Sequence, residues 1–100
     1  MIIITGSFRV PPGSIDLIRP AMETMIHASR AEDGCIEYAY ALDVLDPGLV
    51  RVIERWRDRD ALEAHFRTVH IADWRAQVAA LAISDRELIG YDTQDDGFYI

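Results

Sequence analysis

The sequence has little of what several functional classes require. Cys35 is its only cysteine, so no disulfide can form within the chain and we expect a reducing compartment. The formal net charge is −7, whereas a protein that binds nucleic acid or an anionic membrane needs a positively charged face. We therefore expect neither as a partner. Because the N-terminal run has neither a basic region nor a long apolar stretch, we expect no signal peptide, no membrane span and a cytoplasmic location.

Signatures of the commoner kinds of catalysis are missing as well. The sequence has no glycine-rich phosphate loop and no local pattern typical of a Ser-His-Asp or Cys-His site. His65 and His70 are five residues apart, a spacing that turns two side chains away from each other on a continuous helix. His70 and Asp73 could share a helix face, but two ligands do not make a metal site, so the sequence predicts no metal.

The apolar residues that are present have the pattern of one small domain. Half of the 100 residues are apolar, at the upper end of the globular range, and we expect residues 1–100 to form a single domain. Strands are predicted at residues 2–10, 35–44, 49–57 and 87–93, and helices at residues 14–31 and after the turn at 58–60. This β-α-β-β-α-β order is typical of the ferredoxin-like α+β fold, an antiparallel sheet with its helices on one face.

The third predicted strand contains a carboxylate in an unusual position. Val52, Glu54 and Trp56 alternate along the strand and therefore lie on one face. A carboxylate on a buried face is unfavourable unless it is hydrogen-bonded or neutralised. The hairpin that precedes this strand allows two registers, which set either Tyr40 or Tyr38 opposite Glu54. In both registers the acid meets a tyrosine on the apolar face.

The segment after this strand adds a histidine to the same region. Leu62, Phe66 and Val69 have the spacing of a helix face that packs on a sheet, and His65 lies at the edge of that face. Thr68 is predicted to interrupt the helix and to begin a second helical segment. The buried residues of that second segment are predicted to be Ile71, Trp74, Val78 and Leu81.

Together these elements predict a site between helices and sheet. We expect Glu54 to be largely buried, hydrogen-bonded to Tyr38, Tyr40 or His65, and next to a cavity that Trp56 also bounds. Burial would raise the pKa of the Glu54 carboxyl, and a nearby histidinium or tyrosine hydroxyl would lower it.

The opposite face of the predicted sheet has a mixed composition. It carries Ile3, Ala39, Ala41, Ile53, Ile89 and Tyr91 among paired charges. Such a surface is suited to meeting a second sheet, and the chain ends in three apolar residues, Phe98, Tyr99 and Ile100. The sequence therefore predicts a homodimer with its sheets face to face, with a solvated open sheet as the alternative.

A set of spaced residues carries a family resemblance. It comprises Glu54, Trp56, Asp58, Ala61, Leu62, His65, Thr68 and His70, preceded by Gly34, Cys35, Ile36 and Tyr38 and by a Pro-Gly pair after the first strand. In this pattern the chain resembles the antibiotic biosynthesis monooxygenase family over nearly its whole length, although Val69 stands where that family usually has proline. The resemblance implies a dimeric α+β barrel and an activity such as cofactor-independent oxygenation of quinols or polycyclic aromatics.

The same family also contains haem-degrading enzymes and an isomerase of a phosphorylated signal molecule, so the resemblance specifies the fold more closely than the reaction. The asparagine, tryptophan and histidine of the haem-degrading branch are absent here. Their places are taken by Gly6 or Ser7, by His65 and by Arg75. The resemblance therefore implies no haem, and no cofactor is expected.

Residues and resemblance together predict a quinol-monooxygenase-like enzyme that acts on a small, electron-rich aromatic substrate and O2. A deprotonated phenol can react with oxygen directly, so the protein must supply a base, a donor to the developing oxyanion and dry aromatic walls. We predict His65 as the base, because an imidazole titrates near neutral pH, with Glu54 orienting it or holding a proton. Tyr38 or Tyr40 is the predicted donor. The predicted substrate contacts are Trp56, Tyr40, Phe66 and His70.

Two alternatives follow from the same residues. One is an isomerase of a small polar metabolite that uses Glu54 and His65 for acid–base chemistry without oxygen. The other is a non-catalytic dimer that binds a small molecule, in which these two side chains merely satisfy each other.

Overall fold

The protein folds in the predicted order, with the last helical region divided into two helices. The computed structural model describes residues 1–100. Its elements are β1 (Ile2–Arg9), α1 (Ile15–Arg30), β2 (Cys35–Leu42), β3 (Leu49–Trp56), α2 (Arg59–Phe66), α3 (Val69–Ala80) and β4 (Ser84–Asp92). The strands form one antiparallel sheet in the order β2-β3-β1-β4. This is the predicted ferredoxin-like α+β fold.

The helices cover one face of the sheet and enclose the core. Along α1 the buried residues Ile18, Met22, Met25 and Ser29 recur at helical spacing, which places them on one side of the helix. Ile18, Met22 and Met25 pack with the buried side chains of the sheet in a single cluster. No helix has both the length and the apolar composition needed to cross a membrane.

Two strand boundaries differ from the prediction by more than one residue. β2 ends at Leu42, because the next residue, Asp43, turns the chain by accepting a hydrogen bond from the Leu45 amide at 2.8 Å. β4 begins at Ser84, three residues before the predicted start at position 87. Its first residues are polar and exposed, and its pairing with β1 is irregular between Ser7 and Arg9, so no period-two apolar pattern marks them.

The predicted buried face of α2 is wrong. Phe66 and Val69 are 46% and 76% exposed, whereas Ala61 and His65 are buried. The rotation follows from close packing under the helix, where any side chain added at Gly34 would clash with Ala61. Ala61 must therefore face the start of β2, and His65, one turn later, faces the sheet with it.

The predicted interruption at Thr68 is confirmed. The Thr68 hydroxyl donates to the His65 carbonyl at 2.8 Å and accepts from the Ile71 amide at 3.3 Å, so it ends one helix and caps the next. Ile71 and Trp74 of α3 are buried as predicted. Because the chain changes direction here, His70 no longer has to diverge from His65.

The pairing of β2 with β3 resolves the two registers left open by the sequence. Tyr38 lies opposite Glu54, and Tyr40 lies opposite Val52. The predicted face of β3 is correct, because Glu54 is 4% exposed and lies under the helices. An acid and a tyrosine are thus neighbours across two strands, on the covered face of the sheet.

No helix covers the second face of the sheet. The exposed apolar residues of this face are Ile53 on β3 and Ile89 and Tyr91 on β4. The C-terminal residues Phe98, Tyr99 and Ile100 are also fully exposed. The predicted mixed surface and free apolar end are therefore present in the single chain.

Candidate active site

A cavity of about 280 Å³ lies between the covered face of the sheet and the helices α2 and α3. Its polar lining includes Glu54 from β3, Tyr38 from β2 and His65 from α2. Phe66 and Trp74 are the aromatic residues of its apolar walls. One acid, one imidazole and one phenol thus share a small space with aromatic surfaces.

A larger concavity, of about 640 Å³, lies at the turns that follow β1 and β2. Its one acid, Asp46, forms an ion pair with Arg9 at 2.9 Å, and proline and glycine of the two turns make up much of the rest. It offers no unpaired titratable group and no aromatic wall. The smaller cavity is therefore the candidate site.

A hydrogen-bonded cluster of two histidines and a carboxylate stands at one side of the cavity. Oε2 of Glu32, in the turn after α1, lies 2.5 Å from Nδ1 of His65 and 2.8 Å from Nε2 of His70. A carboxylate oxygen accepts hydrogen bonds, so both imidazole nitrogens carry the hydrogen. One oxygen atom thereby joins the end of α1 to α2 and α3.

This geometry specifies the state of His65. With its hydrogen on Nδ1, a neutral His65 presents Nε2 as an acceptor, and the chain provides no hydrogen bond to that nitrogen. Burial lowers the pKa of His65, while the hydrogen bond to Glu32 and its negative charge act in the opposite direction. The net shift favours the neutral imidazole, the form that accepts a proton.

Glu54 is stabilised by a neighbour on its own strand. Its Oε1 accepts a hydrogen bond of 2.9 Å from the indole Nε1 of Trp56, two residues further along β3. Burial raises the pKa of the Glu54 carboxyl, and the bond from Trp56 only partly opposes this effect. The prediction of a buried acid is confirmed, but the predicted partners Tyr38, Tyr40 and His65 are wrong, since the indole reaches the carboxylate first.

The Tyr38 hydroxyl lies 2.9 Å from that of Tyr40. Because Tyr38 lines the cavity and Tyr40 can be the donor of this bond, the Tyr38 hydrogen is free to point at a ligand. Burial raises the pKa of both phenols well above the ordinary value. Both therefore stay protonated at neutral pH and can act as donors.

Of the four predicted substrate contacts, one lines the cavity and three do not. Phe66 lines the cavity as predicted. Trp56 does not: it is fully buried beneath the site, with its ring 4.5 Å from that of His65, so it supports the two polar groups from behind. Tyr40 and His70 also lie outside the lining, because each is turned toward a partner, Tyr38 and Glu32 respectively.

Four site residues were not identified from the sequence as parts of the site: Glu32, Trp74, Arg75 and Arg86. Glu32 lies in a turn, where an acidic residue is ordinary, and only the break at Thr68 hints that two histidines converge on it. Trp74 was predicted as core from its helical spacing and does contact the core, but one side of it faces the cavity. Nothing in the local sequence marks the two arginines.

The histidine cluster also has the composition of a metal site. One ligand atom from each of Glu32, His65 and His70 lies within 4.8 Å of the others, and two imidazoles with a carboxylate suit several divalent cations. In the arrangement observed, the same atoms are hydrogen-bonded to one another. A cation would have to displace both hydrogens, so the geometry fits a hydrogen-bonded cluster better than a preformed metal site.

The cavity of this small ferredoxin-like domain holds an imidazole, a carboxyl and aromatic side chains. Such groups are suited to acid–base chemistry on a small molecule. The model of the antibiotic biosynthesis monooxygenase family matches residues 1–77. The chain therefore belongs to that family. The match includes all of the site except Arg86 and the other contributions of β4.

Two relatives are similar in sequence, and one of them carries a matching name. "Putative monooxygenase Rv0793" of Mycobacterium tuberculosis is 34% identical over 80 residues, which are 80% of this chain and 78% of that protein. Its solved structure has a TM-score of 0.84 at 28% identity and covers 97% of this chain and 98% of that one. "Uncharacterized protein sll1783" of Synechocystis is 32% identical over 73 residues. That match covers 73% of this chain but only 50% of the Synechocystis protein, so the chain spans about half of its length.

The fold itself recurs at lower identity. A crystal structure of a "putative antibiotic biosynthesis monooxygenase" from Deinococcus radiodurans has a TM-score of 0.91 and covers 100% of this chain and 99% of that one. Its sequence is 21% identical, and at this level the likeness shows the fold alone.

Replacing Glu32 by glutamine tests whether its carboxylate controls His65. The substitution keeps the shape and leaves an amide oxygen that can accept the hydrogen bond from His65, but it removes the negative charge that helps to raise the pKa of His65. We therefore expect the pKa of His65 to fall further below its ordinary value when followed by NMR titration. Asp33→Asn is the matched control, because Asp33 is the next residue but is exposed and pairs with Arg57. An unchanged His65 titration in Glu32→Gln would contradict this role.

Proposed function

We propose that the protein is a cofactor-independent monooxygenase of an electron-rich aromatic, such as a quinol or an anthrone-like ring. Membership of the antibiotic biosynthesis monooxygenase family and the name of the Mycobacterium tuberculosis relative support a monooxygenase in general. The finer proposal depends on one observation: a buried histidine, held by Glu32 through Nδ1, presents its other nitrogen beside a cavity with aromatic walls.

The proposed reaction begins with the transfer of a phenolic proton to Nε2 of His65. The Tyr38 hydroxyl donates to the negative oxygen that results, and the electron-rich ring passes one electron to O2, which leaves a ring radical and superoxide. Recombination forms a bond from a ring carbon to oxygen. The O–O bond of the hydroperoxide then breaks, so that one oxygen atom stays on the ring and the other leaves as water. For a hydroquinone the products are a hydroxyquinone and water, and all four electrons come from the substrate.

The groups of the cavity suit this sequence. Glu32 stabilises the imidazolium that forms on His65 through the same hydrogen bond that orients the neutral ring. Glu54, whose carboxyl has a raised pKa, can hold a proton and return it when water leaves. Phe66 and Trp74 give the ring apolar contacts and limit water at the reacting carbon.

An acid–base isomerase is the second candidate. Burial shifts the pKa of Glu54 upward and that of His65 downward, which brings the two groups closer to simultaneous use as acid and base near neutral pH. Such a pair can move a proton between two atoms of a small metabolite without oxygen. The two candidates differ in whether oxygen is consumed.

Oxygen uptake with a panel of hydroquinones tests the proposed reaction. We expect uptake by the wild-type protein and a kcat lower by about 100- to 10,000-fold in His65→Asn, the range for loss of a general base. Because burial lowers the pKa of His65 below the ordinary 6.5, kcat/KM should rise with pH and reach half of its plateau below that pH. His27→Asn is the control, since His27 is exposed on α1.

The outcomes separate the candidates. Proton exchange or isomerisation of an added ligand without oxygen uptake, lost in His65→Asn, would favour the isomerase. Oxygen uptake that His65→Asn leaves intact would contradict the assignment of His65 as the base.

Glu54→Gln separates the role of Glu54 as a proton carrier from its role in the stability of the fold. The amide oxygen of glutamine can still accept the hydrogen bond from Trp56, so we expect the free energy of unfolding to change by less than about 1 kcal/mol. The side chain can no longer hold a proton, and we expect kcat to fall by at least about tenfold. Urea unfolding and steady-state kinetics measure the two effects, with Glu63→Gln, exposed on α2, as the control. A loss of stability that matches the loss of activity would identify Glu54 as merely structural.

We further propose that the protein is a homodimer joined through the open face of its sheet. Ile53, Ile89 and Tyr91 give this face apolar area, and Arg55 is neutralised there by Glu37 at 2.7 Å. Charges that are already paired do not repel a second copy, and the apolar residues between them gain from burial. A stable dimer of this kind buries more than about 1,000 Å².

Sedimentation tests the dimer. We expect twice the chain mass at micromolar concentration for the wild type, and the mass of one chain for Ile53→Asp, which places a charge in the centre of the face. Leu17→Asp is the matched control, because Leu17 is equally apolar and 74% exposed but lies on α1. A wild-type monomer that retains full activity would contradict the proposal.

A further inference from the structure

Two arginines at the cavity lack the partners that most arginines of this chain have. Six of the ten form ion pairs with carboxylates, namely Arg9, Arg19, Arg51, Arg55, Arg57 and Arg59. Arg30 donates to the Tyr38 carbonyl at 2.8 Å. The three that remain without a carboxylate or carbonyl partner are Arg67, Arg75 and Arg86. Two of these three, Arg75 and Arg86, line the cavity that holds Glu54 and His65.

This absence of partners is unusual in so acidic a chain. The protein has seventeen acidic residues and a net charge of −7, so carboxylates are plentiful for any surface arginine. Arg75 comes from α3 and Arg86 from β4, and both are exposed. Two separate elements thus bring unpaired positive charge to the opening of one cavity.

Both guanidinium groups are close enough to act on the polar groups inside. The charge of Arg86 is one of the influences that lower the pKa of Glu54, and the charge of Arg75 is one that lowers the pKa of His65. Neither arginine forms an ion pair with the acid. The two positive charges therefore lie at the cavity, and no group of the chain occupies their hydrogen-bond donors.

The position of Arg75 is also fixed relative to an aromatic wall. Its guanidinium carbon lies 5.9 Å from the centre of the Phe66 ring, within the range of a cation–π contact. A planar guanidinium presents paired N–H groups that match the two oxygens of a carboxylate. An aromatic surface and a carboxylate-binding group consequently stand side by side at the opening.

We propose that the ligand of this cavity is an aromatic carboxylate, whose ring lies against Phe66 and Trp74 and whose carboxylate binds Arg75 and Arg86. The proposal narrows the substrate class of the proposed function and rests on it only for the reaction, not for the binding. Its ring hydroxyl would face His65, inside the cavity. Its carboxylate would stay at the exposed opening, where the charge remains partly hydrated.

The arginines have one other role open to them, the stabilisation of the oxyanion formed during the reaction. Their placement favours the first role. His65 and Glu54 are 2% and 4% exposed, whereas both arginines are exposed at the rim. A permanent negative charge remote from the reacting oxygen fits that arrangement better than a charge that forms next to His65.

Binding of two matched probes tests the proposal without any turnover. The probes are 2,5-dihydroxybenzoate and its methyl ester, which share the ring and hydroxyls and differ in one negative charge. Titration calorimetry under anaerobic conditions measures both. We expect the wild-type protein to bind the carboxylate at least about tenfold more tightly than the ester, and added salt to reduce this preference.

The variants are Arg75→Gln, Arg86→Gln and the double substitution, with Arg67→Gln as the matched control. Arg67 is also exposed and unpaired but does not line the cavity. Each single variant should lose part of the preference for the carboxylate and the double variant nearly all of it, with binding of the ester unchanged. Arg67→Gln should keep the full preference.

Three binding results would overturn the proposal. They are equal affinity of the wild type for acid and ester, a preference for the acid that survives the double substitution, and an equal loss of that preference in Arg67→Gln. If the arginine variants instead lower kcat equally for acid and ester with unchanged affinity, the arginines act on the oxyanion and the proposal is wrong. Carboxylate binding without oxygen uptake would contradict only the proposed monooxygenase. Oxygen uptake with equal affinity for acid and ester would contradict only the aromatic carboxylate.

Discussion

One oxygen atom of Glu32 is the point on which the candidate site depends. It accepts hydrogen bonds from His65 and His70, and it ties the turn after α1 to the ends of α2 and α3. An imidazole buried as deeply as His65 would be strongly destabilised without such a partner, because an unpaired buried donor loses its contacts with water. The same contact selects the tautomer of His65. A structural requirement and a chemical one are thus met by one pair of atoms.

The sheet supplies the second half of the site through its register. Tyr38 and Glu54 are cross-strand neighbours on the covered face, and Trp56 follows Glu54 on that same face. The indole fills the space beneath His65 and donates to Glu54. A shift of β2 against β3 by one residue would move Tyr38 to the open face, while the pairing of β3 with β1 keeps Glu54 on the covered face. The packing of the core therefore determines which polar groups reach the cavity.

Much of this arrangement could be predicted from the sequence, because it follows from local periodicity. Alternation in β3 placed Glu54 on the buried face, and the Thr68 cap divided the second helical region. Patterns of this kind do not report the rotation of a short helix, which at α2 depends on a close contact between Gly34 and Ala61. They also do not report pairs distant in the chain, such as Glu32 with His65 and His70, which only the tertiary fold brings together. The alternation places Glu54 and Trp56 on one face but does not indicate that the indole donates a hydrogen bond to the carboxylate. The sequence therefore predicts Trp56 only as a contact of the substrate. The expected cytoplasmic location remains a prediction.

Burial shifts the pKa values of Glu54 and His65 in the directions that favour their neutral forms. Glu54 has one hydrogen bond from Trp56 and no ion pair, so burial wins and its carboxyl favours the protonated form more than an exposed one. His65 has Glu32 as a partner, yet burial still favours its neutral form. Both groups thus tend toward zero charge, and the only full charges close to the opening that lack a partner in the chain are those of Arg75 and Arg86. Positive charge without a partner in the chain, beside an acid and a base whose charged forms burial disfavours, is the arrangement that the proposed aromatic carboxylate would complement.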